Sequence, residues 1–318
     1  MKLTIVITVY NKEPFLRRAL EVLLNQKDTF EGEYEVLAVN DGSTDGSIAI
    51  LEEYAQRDNR MQILVQQNQG LSMARNNGVE LARGEYIWFV DADDTVSHRS
   101  VRLICDAMTN HPDVIPIYAQ TDGVDKTRNR VNPELRTGKD ILAKGRWEHC
   151  GVFWIVRKDF LNKNNLRFLP GIYHEDAELT PRMLYFAETV HVVPEVLYTV
   201  YRDPNSITQV PRPKRAFDCL TVADRLIEFF EGQDDVDAEL KRMMDFRIAM
   251  IINDALFVIS KNSIEEQRRF DYTFKTMPKL LKPLRSAPVR KYRIEAALFQ
   301  CFPGYYSTIY RLMKLFGK

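Results

Sequence analysis

Four short apolar runs, at residues 3–9, 35–39, 61–65 and 86–90, each end in polar residues and alternate with stretches of helical spacing. This alternation of period-2 or continuous apolar runs with period-3.6 patterns constrains the fold more than any other feature of the chain. It predicts βαβ units, hence an α/β architecture with a mostly parallel central sheet covered on both faces, which binds ligands beyond the carboxyl ends of its strands. Between the runs, Leu16, Ala19, Leu20, Leu23 and Leu24 mark one helical face behind Pro14, which a first helical turn tolerates. Further helical patterns lie near 47–54 and 71–82. Residues 120–139 are polar and read as loops or edge elements, and a strand resumes at 153–156.

A break follows at Gln209-Val210-Pro211-Arg212-Pro213-Lys214-Arg215, where two prolines and three basic residues interrupt any regular element. The expected organisation is therefore a catalytic-type domain over 1–210 and a helical region over 211–318. Leu220, Ala223, Leu226, Ile227 and Phe230 carry the first helical face of that region, and 248–259 form a buried helix.

Lys plus Arg and Asp plus Glu are equal at 44 each, so no global charge points to nucleic acid. Cys105, Cys150, Cys219 and Cys301 form no Cys-x-x-Cys pair and no disulfide framework, which suits a reduced, cytoplasmic setting. The opening apolar stretch is interrupted by threonines and reads as a strand, not as a signal peptide. No stretch reaches the length of a membrane span. His98, His111, His149 and His191 lack metal-ligand spacing; Trp147 and Trp154 are read either as packing or as platforms for a sugar ring.

Polar clusters stand where the strands end. Thr8-Val9-Tyr10-Asn11 follows the first strand and Asn40-Asp41-Gly42-Ser43-Thr44-Asp45 the second. Asp41 can accept from a nucleobase N–H, or can belong to an ordinary Asp-Gly turn. Asn68-Gln69-Gly70 precedes Ala74-Arg75-Asn76, where Arg75 is either a pocket residue or a surface one. After the fourth strand, Asp91 and Asp93 share a face by strand alternation, and such carboxylates suit Mg²⁺ or Mn²⁺, which complete their shells with phosphate oxygens and water. Asp94 has an alternative role as cap of a helix beginning near Ser97. Tyr173-His174-Glu175-Asp176 precedes another apolar helix: its carboxylates are either caps favoured by the macrodipole or a general base with a companion. Last comes Tyr201-Arg202, with Ser206 and Thr208, a guanidinium and hydroxyls suited to a diphosphate.

Jointly these clusters resemble the family 2 inverting glycosyltransferases over residues 1 to about 210. The resemblance implies a GT-A fold, a nucleotide-sugar donor (UDP-sugar favoured), a Mn²⁺ or Mg²⁺ ion, and a saccharide or lipid-linked glycan acceptor. By motif, Thr8, Tyr10, Asn11, Asp41, Gly70, Arg75 and Asp91 would belong to the nucleotide pocket, with Asp91 at the ribose. Asp93 would ligate the metal, and Arg202 and Ser206 would lie near the diphosphate. Asp176 would be the base, with Glu175 and His174 on the acceptor side. The Gln-x-x-Arg-Trp motif of processive members is absent, since Gln267-Arg268-Arg269-Phe270 does not match, so a single sugar per encounter is expected. Leu179 stands where many members have an aromatic residue three positions after the base.

Rival classes fit less well. A sugar-phosphate nucleotidyltransferase would carry a Gly-rich loop after the first strand, and a dinucleotide-binding oxidoreductase a Gly-x-Gly-x-x-Gly; neither is present. An inert binding module on the same fold would not need Asp93 and Asp176. From Lys279 onward, basic residues interleave with apolar ones around Pro303-Gly304. That pattern reads either as an interfacial helix pair on the anionic inner face of the cell membrane or as helices packed on the catalytic domain.

Overall fold

The computed structural model describes residues 1–201 and 210–316. Its elements run β1 (Leu3–Val9), α1 (Glu13–Leu24), β2 (Tyr34–Asp41), α2 (Ser47–Arg57), β3 (Met61–Gln66), α3 (Leu71–Leu81), β4 (Tyr86–Asp91) and β5 (Thr95–Val96). They continue with α4 (Ser100–Ala107), β6 (Val114–Thr121), β7 (Val124–Arg128), α5 (Gly138–Lys144), β8 (Trp154–Arg157), α6 (Lys158–Lys163), α7 (Glu175–Phe186) and β9 (Val193–Val200). Six helices complete the order: α8 (Pro213–Glu231), α9 (Ala238–Ile259), α10 (Ile264–Lys275), α11 (Leu281–Ser286), α12 (Arg290–Cys301) and α13 (Tyr306–Phe316). The chain divides into two compact units, Met1–Gly171 with Leu179–Asp203, and Ile172–Glu178 with Pro204–Lys318.

The first unit holds one sheet in the order β3-β2-β1-β4-β8-β6-β9-β5, with β7 paired to β6. The part β3-β2-β1-β4 is parallel throughout. Every residue of β1 and β2 is buried, as expected of strands covered on both faces. Antiparallel pairs enter at β8, on both of its sides. The α/β class and the parallel core expected from the sequence are present.

The strand order has a direct consequence for binding. From β1 the chain steps outward to β2 and β3, then returns to the other side of β1 for β4. That reversal creates a crevice between the carboxyl ends of β1 and β4, the place where open α/β sheets bind ligands. Thr8 pairs in register with Asp91 at this crevice. Helix α3 lies close against β1: a Cβ on Gly78 would come 2.4 Å from Val6 Cγ1, so no larger residue fits there.

A buried carboxylate fastens the opposite end of these strands. Glu35 accepts from the Thr4 hydroxyl at 2.7 Å, from Arg83 N at 2.9 Å and from Arg83 Nε at 2.6 Å. Burial alone would raise its pKa, but these bonds together outweigh it and hold the carboxyl below the ordinary glutamate value.

The second unit is helical. Among its fully buried side chains are Leu226 of α8, Ile252, Leu256 and Ile259 of α9, Phe270 of α10 and Phe299 of α12. Among the described residues no helix is long and apolar enough to cross a membrane.

Candidate active site

The loops after β1 and β2 are tied together by side-chain bonds. Asn11 Oδ1 accepts from Thr44 N at 2.8 Å, and Asn11 N donates to Ser43 Oγ at 3.1 Å. Lys12 N donates to Ser47 Oγ, and Glu13 N to Asp45 Oδ2, both at 3.0 Å. Asn11 takes a left-handed backbone conformation, φ 52°, uncommon for a non-glycine residue and tolerated best by Asn and Asp. Thr8 is nearly buried at the strand end, and Tyr10 is exposed.

Asp41 organises a third loop. Its Oδ1 accepts from Gln66 Nε2 and Gln69 N, and its Oδ2 from Gly70 N, all at 2.8 Å. Gly42 is required beside it: its φ is +71°, and a Cβ would stand 2.9 Å from Asn68 N. Of the two sequence readings, the Asp-Gly turn therefore exists, yet the Asp41 carboxylate points across to the next loop.

Arg75 is a buried residue, 3% exposed, and not a surface one. Its Nη2 donates to Asp91 Oδ1 at 3.1 Å, and its guanidinium lies 5.2 Å from the centroid of the Phe168 ring. Asn76, next on α3, holds Phe168 by a reciprocal pair, Nδ2 to Phe168 O at 2.8 Å and Phe168 N to Oδ1 at 2.9 Å. The arginine is thus braced by the Phe168 and Phe89 rings, the latter 6.0 Å away, while it fixes the orientation of Asp91.

The acidic turn after β4 separates its carboxylates. Asp91 feels desolvation, which raises its pKa, partly offset by Arg75. Asp94 is 5% exposed, and its Oδ2 accepts from the Tyr198 hydroxyl while its Oδ1 accepts from Tyr201 N, both at 2.8 Å. It caps no helix: α4 starts at Ser100, with Arg99 at the cap position. The sequence reading of Asp94 as a cap is corrected because β5 intervenes and turns the carboxylate inward. Burial, then the neighbouring Asp91 charge, pushes the Asp94 pKa up to about 7. Tyr198 also receives Asp91 N at 3.1 Å, so one hydroxyl links both ends of the turn.

Asp93, like Asp91, is partly exposed, and two residues that the motifs did not single out meet it. Lys12 Nζ stands 2.5 Å from Asp93 Oδ2, and Arg18 Nη2 donates to the Asp93 carbonyl at 2.5 Å. Arg18 in turn lies over the Tyr201 ring, 3.7 Å from its centroid. Lys12 had a sequence signal, its place directly after Asn11. Tyr198 had none, being an aromatic residue in an ordinary strand.

Arg202 and Ser206 lie outside the described residues. Trp147 and Trp154 are buried and pack, which removes them as exposed sugar platforms. The segment with His174, Glu175 and Asp176 groups with the second unit. There Tyr173 N donates to Asp218 Oδ2 at 2.8 Å, and Arg225 Nε to Glu178 Oε1 at 2.9 Å, so α8 holds the turn from both sides. His174 has φ 63°. Glu175 is buried, and Asp176, partly exposed, accepts from Ala177 N at 2.7 Å.

A parallel sheet with an arginine-braced carboxylate at its switch point and a second partly exposed carboxylate two residues on marks the candidate site. The family model "Glycosyl transferase family 2" matches residues 4–164, and the chain belongs to that family. It is 32% identical over 227 residues to "Uncharacterized glycosyltransferase YibD" of Escherichia coli, covering 66% of this chain and 64% of that protein. It is 34% identical over 221 residues to "Uncharacterized glycosyltransferase EpsJ" of Bacillus subtilis, covering 65% and 63%. The matched region thus spans a little under two thirds of the length of these curated relatives. The crystal structure of S. aureus TarS 1-349 in complex with UDP-GlcNAc superposes with a TM-score of 0.79 at 19% identity, covering 100% of this chain and 93% of that one. That likeness shows a shared fold, of the GT-A type.

Proposed function

We propose that the chain is an inverting glycosyltransferase that moves one sugar from a nucleotide-sugar, a UDP-sugar by preference, to a hydroxyl of a saccharide or lipid-linked glycan in polysaccharide biosynthesis. The observation that carries this reading is the acidic turn at the β1/β4 switch point. Family membership and the UDP-GlcNAc bound by the TarS neighbour support it. Four free cysteines suit a cytoplasmic setting.

In this reading Thr8, Tyr10, Asn11, Asp41 and Gly70 line the nucleotide pocket. Asp91, held by Arg75, meets the ribose hydroxyls. Asp93 is the metal ligand. Among the described residues no group of three or more His, Cys, Asp or Glu side chains forms a metal cage. The partly exposed Asp93 carboxylate fits an ion of the Mg²⁺ or Mn²⁺ kind, which takes one or two protein carboxylates and fills its shell with phosphate oxygens and water. Such an ion supplies Lewis-acid stabilisation of the departing diphosphate. Arg202 and Ser206 contact that same group.

Asp176 takes the proton of the acceptor hydroxyl as its oxygen bonds to the anomeric carbon and the bond to the diphosphate breaks. Attack opposite the leaving group inverts the configuration in a single step. Glu175 and His174 orient the acceptor. A panel of nucleotide-sugars, measured for metal-dependent binding and slow donor hydrolysis, tests the reading. Retention of one donor names the substrate class, whereas no binding of any donor with or without Mn²⁺ rejects it.

A further inference from the structure

Helices α10 and α13 pair antiparallel. Asp271 Oδ1 accepts from Ser307 N and Oδ2 from Ser307 Oγ, both at 2.8 Å, and one turn away Gln267 Oε1 accepts from Arg311 Nη1 at 3.2 Å. Continuing by one more turn brings Ile264 opposite Leu315. At the other end, a Cβ on Gly304 would lie 3.9 Å from Lys275 Cδ. The inner sides of both helices are spent on the core, through Phe270 and Phe274 of α10 and through Tyr306 and Tyr310 of α13.

The outer sides form one apolar face. Ile264 is 65% exposed and Leu315 71%, with Leu312 of α13 and Tyr305 just before it also exposed. Exposed Arg268, Lys275 and Arg311 stand among them. Helix α13 contains no acidic residue. Of the acids in the first turn of α10, Glu266 lies on another flank, 3.8 Å from Arg269, and Glu265, three residues before Arg268, borders the face. Large apolar side chains left in water, interleaved with cations and a tyrosine, are the composition of a surface that lies in a lipid headgroup region.

We propose that the outer face of α10 and α13 docks on an anionic lipid bilayer. The sequence pattern pairs α13 with α12; the fold packs it against α12, where Phe299 meets Tyr306 at 5.2 Å between ring centroids, and against α10 as well. In α12 the side chains of Glu295, Ala296 and Phe299 are fully buried, and Lys291 is engaged by Asn253 at 2.8 Å and Glu295 at 3.5 Å. The positive sign of the α10/α13 face selects acidic headgroups, and its apolar side chains add burial. This docking is independent of the sugar chemistry and is read without turnover.

The test is co-sedimentation of the full chain with phosphatidylglycerol-containing vesicles and with pure phosphatidylcholine vesicles at low salt. The chain is expected to bind the former and to release as salt rises. Ile264→Asp with Leu315→Asp should lose about tenfold or more in vesicle affinity, and Arg268→Ala with Lys275→Ala about tenfold. Ile294→Asp, an exposed position on α12, should change it less than about twofold. Absence of binding to phosphatidylglycerol vesicles overturns the proposal. So does unchanged binding by both face variants, loss of binding in Ile294→Asp, or a dimer in sedimentation velocity that Leu315→Asp dissociates.

Discussion

Lys12 Nζ lies 2.5 Å from Asp93 Oδ2, so this carboxylate of the acidic turn faces a cation of the chain itself. The pair is partly exposed on both sides, where an ion pair contributes little to stability. In the proposed function its importance is competitive: a divalent ion arriving at Asp93 would meet an ammonium in the same place. Once a diphosphate is present, Lys12 is free to turn to its oxygens, as lysines do at phosphate sites. Lys12→Met is therefore expected to tighten Mn²⁺ binding to the donor-free chain by roughly tenfold while weakening nucleoside diphosphate binding. Titration calorimetry with Mn²⁺ alone and then with UDP separates the two effects; equal or weaker Mn²⁺ binding by the variant refutes the competition.

Asp93→Asn removes the carboxylate charge but not the side-chain volume. Metal-dependent donor turnover should fall by about 100-fold or more. Donor binding in the absence of metal should be unchanged, as measured by equilibrium dialysis with and without Mn²⁺.

Asp176→Asn should leave donor affinity within about twofold and reduce transfer by roughly 100- to 10,000-fold. Wild-type turnover in this variant would remove Asp176 from the mechanism.

Arg75→Met strips Asp91 of its partner while keeping an apolar side chain beside Phe168. Because Asp91 retains some solvent contact, 34% at its side chain, the cost is set at about 1–3 kcal/mol, below that of a fully buried pair. Urea denaturation measures it, and donor KM should rise alongside. A loss below about 0.5 kcal/mol with unchanged KM would show that Arg75 does not hold Asp91.

Glu35→Gln tests the fastening at the far end of the sheet. The folded-state pKa of Glu35 is depressed, against an unfolded value of about 4.3. Around and below that value the unfolded chain binds more protons than the native one, so stability rises with pH through this window. The contribution is complete above the unfolded pKa and is lost as pH falls through the folded one. The variant should lose about 1–3 kcal/mol at pH 7, with the gap to wild type narrowing below about pH 4. A gap independent of pH would mean that packing, not charge, is what Glu35 supplies.

Much of this was legible in the residues because it follows from local rules. Continuous burial of β1 and β2 leaves apolar runs, and α1 shows its buried leucines at helical spacing, so the βαβ order is written along the chain. Polar clusters at strand ends follow from the same logic, since a parallel sheet opens to ligand at its carboxyl edge. Where local composition misled, a distant partner decided. Asp94 has the look of a helix cap, yet Tyr198 and Tyr201, about a hundred residues later, turn it inward. Trp147 and Trp154 offer the same side chain to a sugar or to a core, and only burial distinguishes the two.

The order of the first four strands and of the helices between them, and the residue types that stand at each of those strand ends, were determined by the sequence alone, because backbone periodicity and side-chain chemistry are properties of neighbouring residues. Tertiary structure decided which carboxylate of Asp91, Asp93 and Asp94 is turned inward, which arginine is buried beneath them, and that α13 packs against α10 as well as α12. Those outcomes depend on which surfaces meet across the sheet and between helices, and desolvation acts on a charge through whatever packs against it, however far away in the chain that partner lies.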